Sequence, residues 1–177
     1  MRGLTAAQCL AVIRIAVGLY FLSFASQKLL GNYLGGGAGL GRQLQQGLAN
    51  SQNFYQQFLS GVVIPNIDLF ARLVALGESF VAVTLVLGIL TRGGGMVGIV
   101  LNVNYMLMKG LANSAGSVDR LFVVTELVMI VGAAGLVWGL DGALGPSLAR
   151  IPAIGWLAGA DRRSADGRRI HPRYATN

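Results

Sequence analysis

The chain has 177 residues, 54% of them hydrophobic and only 12% charged, with a formal net charge of +7. That length fills one domain and hardly two, and a soluble domain would carry about twice the charge. The composition therefore excludes a disordered or collagen-like chain, argues against a soluble globular enzyme and, with a mean hydropathy of +0.61, points to a membrane.

The first apolar stretch covers residues 5–30. Its apolar run is too long for a cleavable signal, Arg14 interrupts it, and Phe24-Ala25-Ser26-Gln27 is a poor cleavage site. It is expected to stay on the chain as a first span. Cys9, the single cysteine, is expected as a small buried residue. Gln27 and Lys28 at the far end read first as snorkelling anchors, with a polar-ligand role for Lys28 as the alternative.

Residues 31–66 are too many for a plain connection in a compact bundle. The glycine-rich run Gly35-Gly36-Gly37-Ala38-Gly39-Leu40-Gly41 is no dinucleotide fingerprint, because the spacing fails and no strand precedes it. From Arg42 to Val63 the pattern turns helical. Leu44, Leu48, Tyr55, Phe58, Leu59 and Val62 recur every three or four residues among glutamines, which predicts one amphipathic helix on the membrane surface or capping the bundle. Pro65 is expected to end it and launch the second span.

That second apolar stretch covers residues 67–90, the third 94–111 and the fourth 118–140. Each is long enough to cross a hydrocarbon core of about 30 Å as a helix. Thr91-Arg92-Gly93 makes a tight hairpin, and residues 112–117 form another short connection. The predicted fold is an all-α membrane protein, a four-transmembrane-helix bundle with an amphipathic helix in the long first loop, over residues 1–145. Residues 146–177 form a basic juxtamembrane segment, where Trp156 dips into the headgroup layer, and a polar tail. Six of the 14 basic residues lie from Arg150 onward. Beside membrane spans such a tail is a topology or headgroup signal, not a nucleic-acid site. The charge bias places both termini in the cytoplasm and the glutamine-rich loop outside, in a bacterial or archaeal inner membrane. Arg162, Arg163, Arg168 and Arg169 are candidates for binding a partner.

Charge within the spans is the most informative feature, since it is costly in lipid unless paired or hydrated. Counting depth along the spans pairs Arg14 with Glu78 and Arg72 with Glu126. These pairs lock the helices together, or they form a proton relay or a polar site for a quinone, with Glu78 the favoured catalytic candidate because a mid-membrane carboxylate can hold and release a proton. Asn102 and Asn104 are candidates for interhelical hydrogen bonds or for a polar ligand, and only one of the two can face a given neighbour. Tyr105, Met106 and Met108 read as packing. With one histidine, His171, in the tail, no haem, zinc or iron–sulfur ligand set and no nucleophile–base pair can form, so no metal is expected. The cofactor left open is a quinone or a lipid.

The ordered set Ile13-Arg14-Ile15-Ala16-Val17-Gly18, Gln27-Lys28-Leu29, Gly77-Glu78, Leu87-Gly88-Ile89-Leu90-Thr91-Arg92 and Gly139-Leu140-Asp141 resembles the DoxX/DoxD-like family of small four-helix membrane proteins over about residues 10–142. In that family a "SLD"-like element commonly stands where this chain has Gly139-Leu140-Asp141. The resemblance implies association with quinone-linked electron transfer, since members are named for a thiosulfate:quinone oxidoreductase or a terminal quinol oxidase subunit. It carries over Arg14, Lys28, Glu78 and Arg92 as family features. The leading expectation is a non-haem subunit, not catalytic on its own, that stabilises a larger respiratory or photosynthetic membrane complex. The rival is a quinone-binding oxidoreductase subunit using Glu78 and Arg14. A small transporter is disfavoured by the lack of an internal repeat or a clearly broken helix.

Overall fold

The computed structural model describes residues 3–31, 33, 37–112 and 116–160. Among them it is all helical: α1 (Ala6–Leu30), α2 (Ala38–Gly47), α3 (Asn53–Phe58), α4 (Ile67–Leu87), α5 (Thr91–Lys109), α6 (Ser117–Val131), α7 (Leu140–Leu148) and α8 (Pro152–Leu157). Thr5 starts α1 with a reciprocal cap. Its hydroxyl accepts from the Gln8 N–H at 3.3 Å, and the Gln8 side chain accepts from the Thr5 N–H at 2.9 Å. Cys9 is exposed on this helix, against the expectation of burial.

Four helices form the body. Helix α1 lies along α4, α4 packs on α5, α5 on α6, and α6 touches α1 to close the ring. Val17, Phe21, Val81, Ala82, Leu85 and Met129 fill its centre. The outward faces carry large exposed apolar side chains on all four helices, such as Leu22, Leu76, Val100 and Leu121. Helices apolar inside and outside are what a lipid solvent selects.

The structure redraws three of the expected elements. The single amphipathic helix over 42–63 is two: α2, then a 3₁₀ turn at Leu48–Asn50 and an extended Ser51, then α3. Pro65 does not end a helix. A π turn at Leu59–Val63 and a 3₁₀ turn at Ile64–Asn66 carry α3 directly into α4. The wider turn absorbs the missing proline N–H and the ring's demand for space. Asn53–Leu87 thus runs as one 35-residue helix, and with Ala6–Leu30 it is one of two helices among the described residues that are long and apolar enough to cross a membrane.

The fourth apolar stretch breaks early. Helix α6 stops at Val131 after 15 residues, about 22 Å at 1.5 Å per residue, short of a full hydrocarbon core. Ala133 and Trp138 take left-handed backbone angles, φ 46° and 52°, and the chain folds back through Ala134–Leu136 into α7. Helix α8 is held against α5 by Arg92, which donates to the Trp156 and Ile130 carbonyls at 3.2 and 3.1 Å and lies over the Trp156 ring.

The consequence for function is the cap. Leu40 and Leu44 of α2, Tyr55 of α3 and Leu59 pack with Ala71, Ala75 and Met108. They roof the end of the bundle where α1 finishes and α4 begins.

Candidate functional site

Under this cap three helices bring three polar side chains together. Lys28, near the end of α1, donates to Oε1 of Glu78 on α4 in a buried salt bridge and to the Tyr105 hydroxyl on α5 at 2.9 Å. The Tyr105 hydroxyl in turn donates to the same Glu78 oxygen at 2.6 Å. Lys28 and Glu78 are 7% and 3% exposed. The second carboxylate oxygen of Glu78, Oε2, is buried and has no partner among the described residues. The Lys28 ammonium also lies 5.5 Å from the Tyr33 ring centre and 5.3 Å from that of Tyr105, within cation–π range. Tyr33 follows α1. Burial first, then the Glu78 charge, pushes its hydroxyl up to about 12.

This cluster forms one wall of a cavity of about 360 Å³. Phe21, Phe24 and Phe122 supply apolar walls, and Gln43 and Asn50 come down from the cap. At its rim Lys109 and Asp119 form an ion pair at 2.7 Å. Asn102 lines the cavity and points its amide N–H₂ the other way, to both oxygens of Glu126 at 3.0 and 3.1 Å.

The pairing expected from depth is not the pairing found. Glu78 meets Lys28, not Arg14. Arg14 is wholly buried at the opposite end of the bundle, where it donates to the Trp138 carbonyl at 2.9 Å. Its neighbour there is Asp141, also wholly buried, whose two oxygens accept from the Leu90 and Thr91 N–H groups at 2.7 and 2.9 Å. Burial raises the Asp141 carboxyl above its ordinary value, while the Thr91 and Leu90 donors and the Arg14 charge pull it back. Arg72 is exposed on α4 and does not meet Glu126, whose partner is Asn102. Asn104 faces away from Asn102: its oxygen accepts from Tyr55 at 2.6 Å and its amide N–H₂ donates to the Val100 carbonyl. Arg162, Arg163, Arg168 and Arg169 lie outside the described residues.

Tyr105, expected as packing, is a hydrogen-bonding member of the cluster, and no site role was expected of Asp141 or of the Lys109–Asp119 pair. A signal for Tyr105 was present. It stands three residues after Asn102 and four before Lys109, on one helical face. Asp141 had only its place at the end of the family-like element.

Among the described residues no group of three or more His, Cys, Asp or Glu side chains could hold a metal. The cavity instead offers groups for a polar organic head. Lys28 has a third N–H to offer an acceptor, the unpartnered Glu78 Oε2 can accept from a donor, and Phe21, Phe24 and Phe122 supply apolar walls.

The family model described as DoxX matches residues 9–111, more than half of the chain. No curated protein and no solved structure matches it.

Proposed function

Because the chain belongs to the DoxX family, a family of membrane proteins, we propose that it is a quinone-binding membrane subunit of a larger quinone-linked electron-transfer assembly, respiratory or photosynthetic. The observation that carries this reading is the cavity: a buried Lys28–Glu78–Tyr105 cluster opening onto an aromatic-walled space of about 360 Å³. Ligand sites are largely apolar hollows with a few convergent polar groups, and intramembrane charge is functional by default.

Lys28 would hold the polar head through its third N–H, Tyr105 would fix Lys28 and Glu78 in place, and Phe21, Phe24 and Phe122 would flank it. A bound quinone supplies two-electron, two-proton redox chemistry. The chain's own contribution is to place a carboxylate, Glu78, within reach of an oxygen that gains or loses a proton. Electrons would reach the site from a partner subunit. Arg14 has no part in this site, since it sits at the other end of the bundle, so the pairing of Glu78 with Arg14 at one quinone site is set aside.

In this reading α1, α4, α5 and α6 all cross the membrane, with both termini in the cytoplasm and the cap of α2 and α3 outside. The lipid-like outer faces and the basic tail support it. In a Cys9→Ser background, Gln46→Cys should react with an impermeant thiol reagent in intact cells, whereas Ala175→Cys should react only after the membrane is permeabilised. Labelling of both from one side would refute the topology. The binding itself is tested by calorimetry of the purified full chain in detergent with a short-chain quinone. Saturable one-to-one binding, weakened about tenfold in Tyr105→Phe, which removes the hydroxyl that positions Lys28 and Glu78, supports the site. Heat indistinguishable from quinone entering empty micelles would refute it.

A further inference from the structure

The bundle holds a second carboxyl whose surroundings differ in kind from those of Glu78. Glu126 on α6 is wholly buried. Both its oxygens are bonded by one group, the Asn102 amide. Gly98 on α5 leaves the space they occupy, and a Cβ there would run into the carboxyl.

No cation reaches it among the described residues. On α1, Arg14 serves Trp138 and Lys28 serves Glu78 and Tyr105. On α4, Arg72 is exposed and Glu78 is held by Lys28. On α5, Arg92 donates to Ile130 and Trp156, and Lys109 pairs with Asp119 of α6. Arg120 of α6 donates to the Leu111 carbonyl. A carboxylate without a counter-charge is among the most expensive groups to bury, and the group escapes that cost by taking a proton. One neutral amide does not replace a cation.

Asn102 is a wall of the cavity on its other side. Asn102 thus touches both the Glu126 carboxyl and the space onto which Glu78 and Tyr105 open. We propose that Glu126 is a neutral carboxylic acid that exchanges its proton with the polar cavity past Asn102, a proton store of the bundle interior distinct from the Lys28–Glu78 ion pair. In the exchange the Glu126 O–H bond breaks and an O–H bond forms on an oxygen in the cavity, of water or of a ligand. The carboxylate left behind keeps its two Asn102 hydrogen bonds until a proton returns by the same route. The protonation state does not depend on what the cavity binds, so this inference and the quinone reading can fail separately.

Infrared difference spectroscopy of the full chain in lipid vesicles tests it without added quinone. At neutral pH the wild type minus Glu126→Gln difference should contain the C=O stretch of a protonated carboxylic acid, and the wild type minus Glu78→Gln difference should lack it. Transfer to D₂O should shift the band within minutes. Glu126→Asp, which keeps the acid if Gln at this position fails to fold, should show the band displaced. A carboxylate doublet in place of the acid band would overturn the proposal. An acid band that resists D₂O for days would overturn the exchange with the cavity.

Discussion

Asp141 closes the start of α5 from the far side of the α6–α7 turn. Its two carboxylate oxygens accept from Leu90 and Thr91, while its own N–H donates to the Gly88 carbonyl at 2.7 Å. Leu90 sits in the left-handed region, φ 49°, and has no side-chain oxygen with which to cap the helix that follows. A residue some fifty positions away does the capping instead, as a helix N-terminus requires of some acceptor. Asp141→Ala should therefore cost about 3 kcal/mol, the loss of charged hydrogen bonds to buried donors. Asp141→Asn, which keeps one acceptor oxygen, should cost about half as much. Thermal unfolding of the detergent-solubilised variants measures both, and an Asp141→Asn variant as stable as wild type would show that the carboxylate charge is immaterial.

Gly88 makes the same corner from the other strand of chain. It is left-handed, φ 64°, and lies against the Arg14 guanidinium and Gly139. Gly88→Ala combines a strained backbone, about 1 kcal/mol or more, with a collision that moves Arg14 off the Trp138 carbonyl. A melting temperature within a degree of wild type would show that the corner is not under this constraint.

Lys28 and Glu78 should be tightly coupled. Lys28→Met strands a buried carboxylate and should destabilise by about 3–5 kcal/mol, whereas the double change Lys28→Met with Glu78→Met removes both charges and should cost much less. A double-mutant cycle on unfolding midpoints reads the coupling directly. Additive effects would mean that the two side chains do not share their charge in the folded chain.

Tyr33 gives a pH signature. Its hydroxyl is raised from 10.0 to about 12 by burial and by Glu78, so the folded chain favours the neutral phenol. Its contribution to stability is whole below about pH 10 and falls as pH rises from 10 to 12. Ultraviolet titration of wild type minus Tyr33→Phe should show one phenolate appearing near pH 12. A midpoint near 10 would mean that the ring is not enclosed as described.

The helical class, the positions of α1, α4 and α5 and the separation of Asn102 from Asn104 are legible in the sequence because they rest on local periodicity and on residue direction around a helix. The ion pairs are not. Depth counting assumed that Lys28 stands at the water interface, but α2 and α3 fold over it. Once capped, its most favourable partner is the nearest buried carboxylate rather than the headgroup layer. The end of α6 was hidden for a different reason. Residues 132–140 are as apolar as a span, and composition cannot register that Ala133 and Trp138 turn left-handed to bring Asp141 to α5. Arg14 is then drawn to the carbonyl this turn exposes. Pro65 misleads because its local rule holds for an α-helix, and the chain answers it with a π turn.

The most direct test of the central claim is photolabelling of the full chain in native membranes with an azido-quinone, followed by mapping of the modified residues by mass spectrometry. Label concentrated on the α1, α4 and α5 segments around Lys28, Glu78 and Tyr105, competed away by unmodified quinone and reduced in Tyr105→Phe, is the expected result. Label spread over the lipid-facing positions Leu76, Val100 and Leu121, and indifferent to competitor, would contradict a quinone site in the cavity.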